Sequence, residues 1–181
     1  MGNFKDVLDI VKPKNILEIG FFRGGSASLW LCGSDAKLTS VDPINDTVTI
    51  DYLKSSNQHY LIEDWQPQLN AVEKIKKAFP DRFEFIQKKS LVATEDGDLN
   101  NEQYDFAFID GDHAFRGVTF DMKMAVQSKI PYLLFDDYWL EVEMAFSAFS
   151  SCFDIIKIYD GHKKFPAKGS PPMLLARNKL I

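Results

Sequence analysis

Three groups of residues have types and spacings suited to chemistry. The first is a glycine-rich turn, Ile16-Leu17-Glu18-Ile19-Gly20-Phe21-Phe22-Arg23-Gly24-Gly25-Ser26, entered from an apolar run and followed by Asp42 at the end of the next one. Gly20 permits a sharp turn, and Gly24 and Gly25 lack the Cβ atoms that would hold the backbone away from a ligand. An acid placed like Asp42 can bond ribose hydroxyls, so this part of the chain suits an adenosine-containing ligand. The second group is Asp110-Gly111-Asp112-His113, and the third is Asp136-Asp137. Carboxylates brought together repel one another unless a proton or cation neutralises them. A hard divalent ion with oxygen ligands, such as Mg²⁺, meets that need. His113 titrates near neutral pH and can take a proton from a hydroxyl.

These groups need a scaffold that delivers them to one place, and the pattern of the chain supplies it. Apolar residues at Phe4, Val7, Leu8 and Val11 have the spacing of a short amphipathic helix, stopped by Pro13. Strands are expected at 16–19, 37–41, 83–87, 104–109, 132–135, 155–159 and 173–176. Helices are expected from Ser26 as N-cap to about residue 32, and at 68–79, 114–127 and 145–151. Alternating strands and helices predict an α/β fold with a mostly parallel sheet and helices on both faces. In an open α/β sheet the strand C-termini carry the ligands, so Asp110, Asp112, Asp136 and Asp137 are expected to converge there.

Composition narrows the classes. A chain of 181 residues with 45% apolar content can bury the core of one domain, residues 1–181. Cys32 and Cys152 show no pairing or metal-ligand spacing, so reduced core thiols in a cytoplasmic protein are expected. The first residues lack an apolar signal region, and no apolar run is long enough to span a bilayer. A net charge of −5 argues against nucleic acid as the main partner.

A nicotinamide fingerprint reads G-x-G-x-x-G, with its glycines set for a pyrophosphate. This chain reads G-x-x-x-G-G, with Glu18 two positions before Gly20. A carboxylate there would repel a pyrophosphate but suits a cationic amino-acid moiety and its sulfonium. The segment resembles the first motif of class I S-adenosylmethionine-dependent methyltransferases, E/D-x-G-x-x-x-G. That resemblance implies a Rossmann-like methyltransferase fold, a seven-stranded sheet with a C-terminal antiparallel strand, and S-adenosylmethionine as cofactor. Glu18, Gly20, Phe21, Gly24, Gly25, Ser26, Asp42 and Asp110 are then the cofactor-binding candidates.

Ile109-Asp110-Gly111-Asp112-His113-Ala114-Phe115 resembles the IDGDHxY signature of the methyltransferase type 24 family, and Phe135-Asp136-Asp137-Tyr138 resembles its following strand. More distantly, both resemble the metal-dependent catechol and caffeoyl-coenzyme A O-methyltransferases. The resemblance implies Asp110, Asp136 and Asp137 as metal ligands, with Asp137 replacing the usual Asn. Those relatives often carry a catalytic Lys three residues after the first ligand; here that position is His113, so His113 and Asp110 are the catalytic candidates. Ser90 matches the serine of a Gly-Asp-Ser segment that meets adenine, although Lys88-Lys89 replace its first two residues. The likeness runs from about Ile16 to Ala176.

The acceptor is expected to be a small hydroxylated molecule, a sugar or a phenol, read by loops because only some fifteen residues precede the first motif. The segment 43–65, with His59, Tyr60 and Trp65, and the segment 161–165, with Lys163, Lys164 and the nearby Lys168, are the loop candidates. A homodimer matches the habit of related enzymes. Two other classes stay open, namely a methyltransferase-fold protein that binds cofactor without turnover and, disfavoured by the glycine spacing, a nicotinamide-dependent oxidoreductase.

Overall fold

The computed structural model describes residues 2–44, 65–99, 104–160 and 172–181. Within these, strands β1 (Asn15–Ile19), β2 (Lys37–Val41), β3 (Phe83–Ile86), β4 (Phe106–Ile109), β5 (Tyr132–Phe135), β6 (Phe153–Tyr159) and β7 (Met173–Asn178) form one sheet. Their order is β3-β2-β1-β4-β5-β7-β6. The first five pair in parallel, and β7 runs antiparallel to both β5 and β6. This is the Rossmann-like methyltransferase architecture expected, with its C-terminal antiparallel strand. The helices are α1 (Gly2–Val11), α2 (Gly25–Gly33), α3 (Trp65–Ala78), α4 (Ser90–Glu95), α5 (Phe115–Gln127) and α6 (Leu140–Ala148).

Period-two alternation sends each strand's side chains to both faces; both are covered over β1, β4 and β5, whereas the edge strand β6 leaves Ile155, Ile156 and Ile158 exposed. On one face Leu17, Ile109 and Phe135 pack with Val118 and Met122 of α5 and Phe146 of α6. On the other, Ile16, Phe106 and Phe108 pack with Val7 of α1 and Trp30 of α2. Among the described residues no helix is long and apolar enough to cross a membrane.

Several local expectations are corrected. Helix α2 is capped by Gly24 in the left-handed region at φ 70°, with no side-chain cap, so Ser26 lies in its first turn rather than at its N-cap. Cys32 is exposed and so is not a core thiol, whereas Cys152 is half-buried and packs against the core. Helix α6 starts at Leu140, ahead of the expected 145, because Val142 continues the buried face of Ala145 and Phe146 toward the N-terminus. Helix α4 was not expected, since six residues are too few to show a period.

One hydrogen-bond pattern prepares the site. The parallel ladder continues one residue beyond the strands: Gly20 N donates to Val41 O (2.9 Å), Asp110 N to Ile19 O (2.8 Å), Asp136 N to Ile109 O (3.0 Å) and Asp42 N to Ile86 O (3.2 Å). Asp42, Gly20, Asp110 and Asp136 therefore stand in a row at the carboxyl edge of β2, β1, β4 and β5.

Candidate active site

The turn after β1 is built from backbone outward. Gly20 has φ 95°, and a Cβ there would lie 2.1 Å from the carbonyl oxygen of Asp110. Only glycine lets the turn lie directly against the loop after β4. Asp42 holds this turn: its Oδ2 accepts from Phe21 N (2.8 Å) and Phe22 N (3.0 Å), while Oδ1 accepts from Ile44 N (2.9 Å). The carboxylate expected at the ribose thus also organises the glycine loop. Phe21 turns its ring into the core against Phe83 and Phe85, leaving only its backbone at the turn. A Cβ at Gly25 would meet nothing within 4 Å, so open space lies beside the start of α2.

Beneath the turn, Glu18 is fully buried. Its Oε2 accepts from the Ser40 hydroxyl at 2.5 Å, and its Oε1 has no partner. Burial drives the carboxyl up to about 8; the nearby Ser26 and Ser40 hydroxyls oppose that, and the charges of Asp110 and Asp42 add to it. An unpaired buried oxygen costs about 1–3 kcal/mol.

His113 stands between two of the acids. Its Nδ1 lies 3.1 Å from Asp137 Oδ2 and its Nε2 3.4 Å from Asp110 Oδ1. The second contact is charge pairing rather than a hydrogen bond, and Nε2 is buried without a hydrogen-bond partner. Asp110 holds the His113 pKa above its ordinary value, burial opposes, and Asp137 and Asp136 reinforce the rise. Burial, with Asp110 and Asp137 nearby, raises the carboxyl of Asp136; burial raises Asp137 as well. Asp137 has φ 49°, a left-handed conformation that Asp and Asn adopt more readily than other side chains, which accounts for either residue serving there.

Asp110, His113, Asp136 and Asp137 are therefore brought together as expected. Asp112 is not: its Oδ1 accepts from Ala114 N at 3.0 Å, and its carboxylate lies over Gly117, whose Cβ position is 2.5 Å from Oδ2. Ser90 gives its hydroxyl to the buried Asp121 (2.6 Å). The loop candidates at 45–64 and 161–171 lie outside the described residues. Glu141 was missed by sequence reasoning. Its Oε2 accepts from Phe115 N at 2.5 Å, and the only sequence signal is an acid in the first turn of a helix following a strand-end acid pair.

For a divalent ion, Asp110, Asp136 and Asp137 offer hard oxygen donors. In the arrangement seen, however, the imidazole occupies the position between Asp110 and Asp137, and among the described residues no three acid, histidine or cysteine groups are placed to share one ion. The donors fit a metal in chemistry but not in placement.

The methyltransferase-domain family Methyltransf_24 matches residues 17–138, and the chain belongs to that family. The match spans the glycine turn, Asp42, the β4 loop and the β5 acids. The family match and the fold define a class I S-adenosylmethionine-dependent methyltransferase. Among solved structures, the O-methyltransferase from Bacillus cereus in complex with SAH superposes with a TM-score of 0.61 at 17% identity, covering 98% of this chain and 79% of that one. SAH-bound methyltransferase PaMTH1 from Podospora anserina gives 0.59 at 17% identity, covering 97% and 76%. The O-methyltransferase TomG from Streptomyces achromogenes, in complex with SAM, gives 0.60 at 14% identity, covering 97% and 78%. No curated protein sequence matches the chain.

Proposed function

We propose that this chain binds S-adenosylmethionine across the Gly20 turn and transfers its methyl group to a hydroxyl of a small molecule, of sugar or phenol type, with His113 as proton acceptor. The observation that carries the reading is the position of His113. It is oriented through Nδ1 by Asp137, has Nε2 buried 3.4 Å from Asp110 Oδ1 without a hydrogen bond, and sits in the loop packed directly against the cofactor turn, so a hydroxyl meets Nε2 only once the ring turns away from Asp110. Three solved structures of similar fold, two of them O-methyltransferases, hold SAH or SAM, which supports the cofactor.

The chemistry is direct displacement at the methyl carbon. The acceptor oxygen forms a bond to carbon, the carbon–sulfur bond breaks toward sulfur, and the hydroxyl proton passes to Nε2 of His113. Alignment of oxygen, carbon and sulfur supplies most of the rate, on the order of 7 kcal/mol or more in well-oriented systems. A positioned base contributes about 10²–10⁴-fold. The surrounding carboxylates raise the proton affinity of the imidazole, Asp110 foremost, against the effect of burial. A sulfonium nearby opposes them electrostatically and favours the neutral ring that can accept a proton.

Asp110, Asp136 and Asp137 would hold a divalent ion such as Mg²⁺ only after His113 moves out from between two of them, and no step above runs through a metal. The test is calorimetric titration of wild type, Asp42→Ala and His113→Ala with S-adenosylhomocysteine, followed by methyl-transfer assays on hydroxylated acceptors. Binding by wild type and His113→Ala, with Asp42→Ala weakened roughly 10²-fold and turnover confined to wild type, is expected. Unchanged turnover in His113→Ala would remove the assigned base.

A further inference from the structure

The acids and His113 sit on two separate loops, 110–114 after β4 and 136–139 after β5, and their function depends on the distance between those loops. Within the site the loops touch through His113 and Asp137. That contact is a single side-chain pair.

A second tie lies outside the site. Helix α5 begins after Ala114, which offers no side-chain cap, so its first amide groups need partners from elsewhere. Glu141, in the first turn of α6, supplies one by accepting from Phe115 N at 2.5 Å. Helix α6 likewise has no side-chain cap at Trp139. A side chain in the first turn of one site helix thus bonds the first amide of the other, and each helix begins at the end of a site loop. Any shift of the β4 loop is felt at the cofactor turn, because Gly20 has no room against Asp110 O.

We propose that Glu141 is a positioning residue. It clamps the Asp110–His113 loop to the Asp136–Asp137 loop through the Phe115 amide, and so keeps the cofactor turn and the proton acceptor in register. The inference rests on the reading of this edge as the methyl-transfer site, but the clamp itself can be observed without cofactor.

The test uses the full chain and three variants. Glu141→Ala deletes the acceptor. Glu141→Gln keeps a carbonyl that can accept the same bond. Phe115→Pro deletes the donor at a first helical position, where proline is well tolerated, and the extended Ala114 before it (φ −66°, ψ 144°) suits a following proline. Phe115→Leu controls for loss of the ring. Amide exchange across 113–119 is read first, without ligand, followed by S-adenosylhomocysteine affinity.

Glu141→Ala is expected to speed exchange in that segment and to weaken affinity about three- to tenfold, the scale of one charge-assisted hydrogen bond only partly transmitted. Phe115→Pro should match it in affinity, the double variant should add little, and Glu141→Gln and Phe115→Leu should stay close to wild type. Unchanged exchange in Glu141→Ala, affinity within twofold of wild type, or a Glu141→Gln that behaves like Glu141→Ala would each overturn the clamp. Failure of wild type to bind S-adenosylhomocysteine would instead overturn the proposed function, and the exchange comparison would still decide the clamp.

Discussion

The carboxylate of Asp42 and the backbone amide of Phe21, twenty-one residues apart, are joined by a 2.8 Å hydrogen bond that fixes the glycine turn to the end of β2. The same oxygen takes Phe22 N, so two amides in the turn depend on one residue. Asp42→Ala should therefore weaken S-adenosylhomocysteine binding by more than the loss of a ribose contact alone. A drop of roughly 10²-fold is expected, with Asp42→Asn intermediate because it keeps one acceptor oxygen. Calorimetry on the three proteins checks this, and equal affinities in Asn and Ala variants would contradict it.

Gly20 is intolerant for a different reason. Alanine would place Cβ 2.1 Å from Asp110 O and 2.6 Å from its carbonyl carbon, both backbone atoms, at a φ of 95°. Gly20→Ala should destabilise the fold by about 3 kcal/mol or more, seen as a lowered midpoint in denaturant. Gly25→Ala, which meets nothing, should leave the midpoint near wild type.

Asp121 gives a pH signature. It is buried beneath Ser90, and burial raises its carboxyl to about 7, with the Ser90 hydroxyl opposing and Asp112 adding. A raised folded-state pKa means that the folded chain holds the proton more tightly. The associated stability is complete below the ordinary carboxylate range and is lost as pH rises through about 7. Asp121→Asn keeps an acceptor for Ser90 and has no proton to lose. Its melting temperature relative to wild type should rise between pH 4 and pH 7, by the equivalent of roughly 2–4 kcal/mol at the upper end. A pH-independent difference would rule this out.

His113 also bears on metal binding. With the ring between Asp110 and Asp137, a cation must displace it before meeting both carboxylates. Titration of Mn²⁺ into His113→Ala should give tighter binding than into wild type, and Asp137→Asn on that background should weaken it again. Equal Mn²⁺ affinity in wild type and His113→Ala would show that the imidazole is no obstacle.

Much of the scaffold was legible because period and punctuation coincide. Strands β2 and β5 fall at the expected residues, and Pro13 marks the end of the first helix region. Helix α4 was not legible, since its stability comes from contacts such as Ser90 with Asp121 rather than from a pattern of its own. Cys32 misled because an apolar neighbourhood in sequence says nothing about which side of α2 a residue occupies.

Which acids and glycines stand at the strand ends could be read from the chain, because each follows an apolar run. Their partners could not. Asp112 and Asp110 are equivalent as letters, yet one folds back over Gly117 while the other faces His113. Local sequence determined which elements form and which chemical groups stand at the carboxyl edge, because backbone propensity and hydrophobic period act over a few residues. Tertiary structure alone decided that Asp42 holds the turn, that His113 lies between Asp110 and Asp137, and that Glu141 meets Phe115. Those contacts join groups brought together by strand order and loop direction, which no short-range pattern encodes.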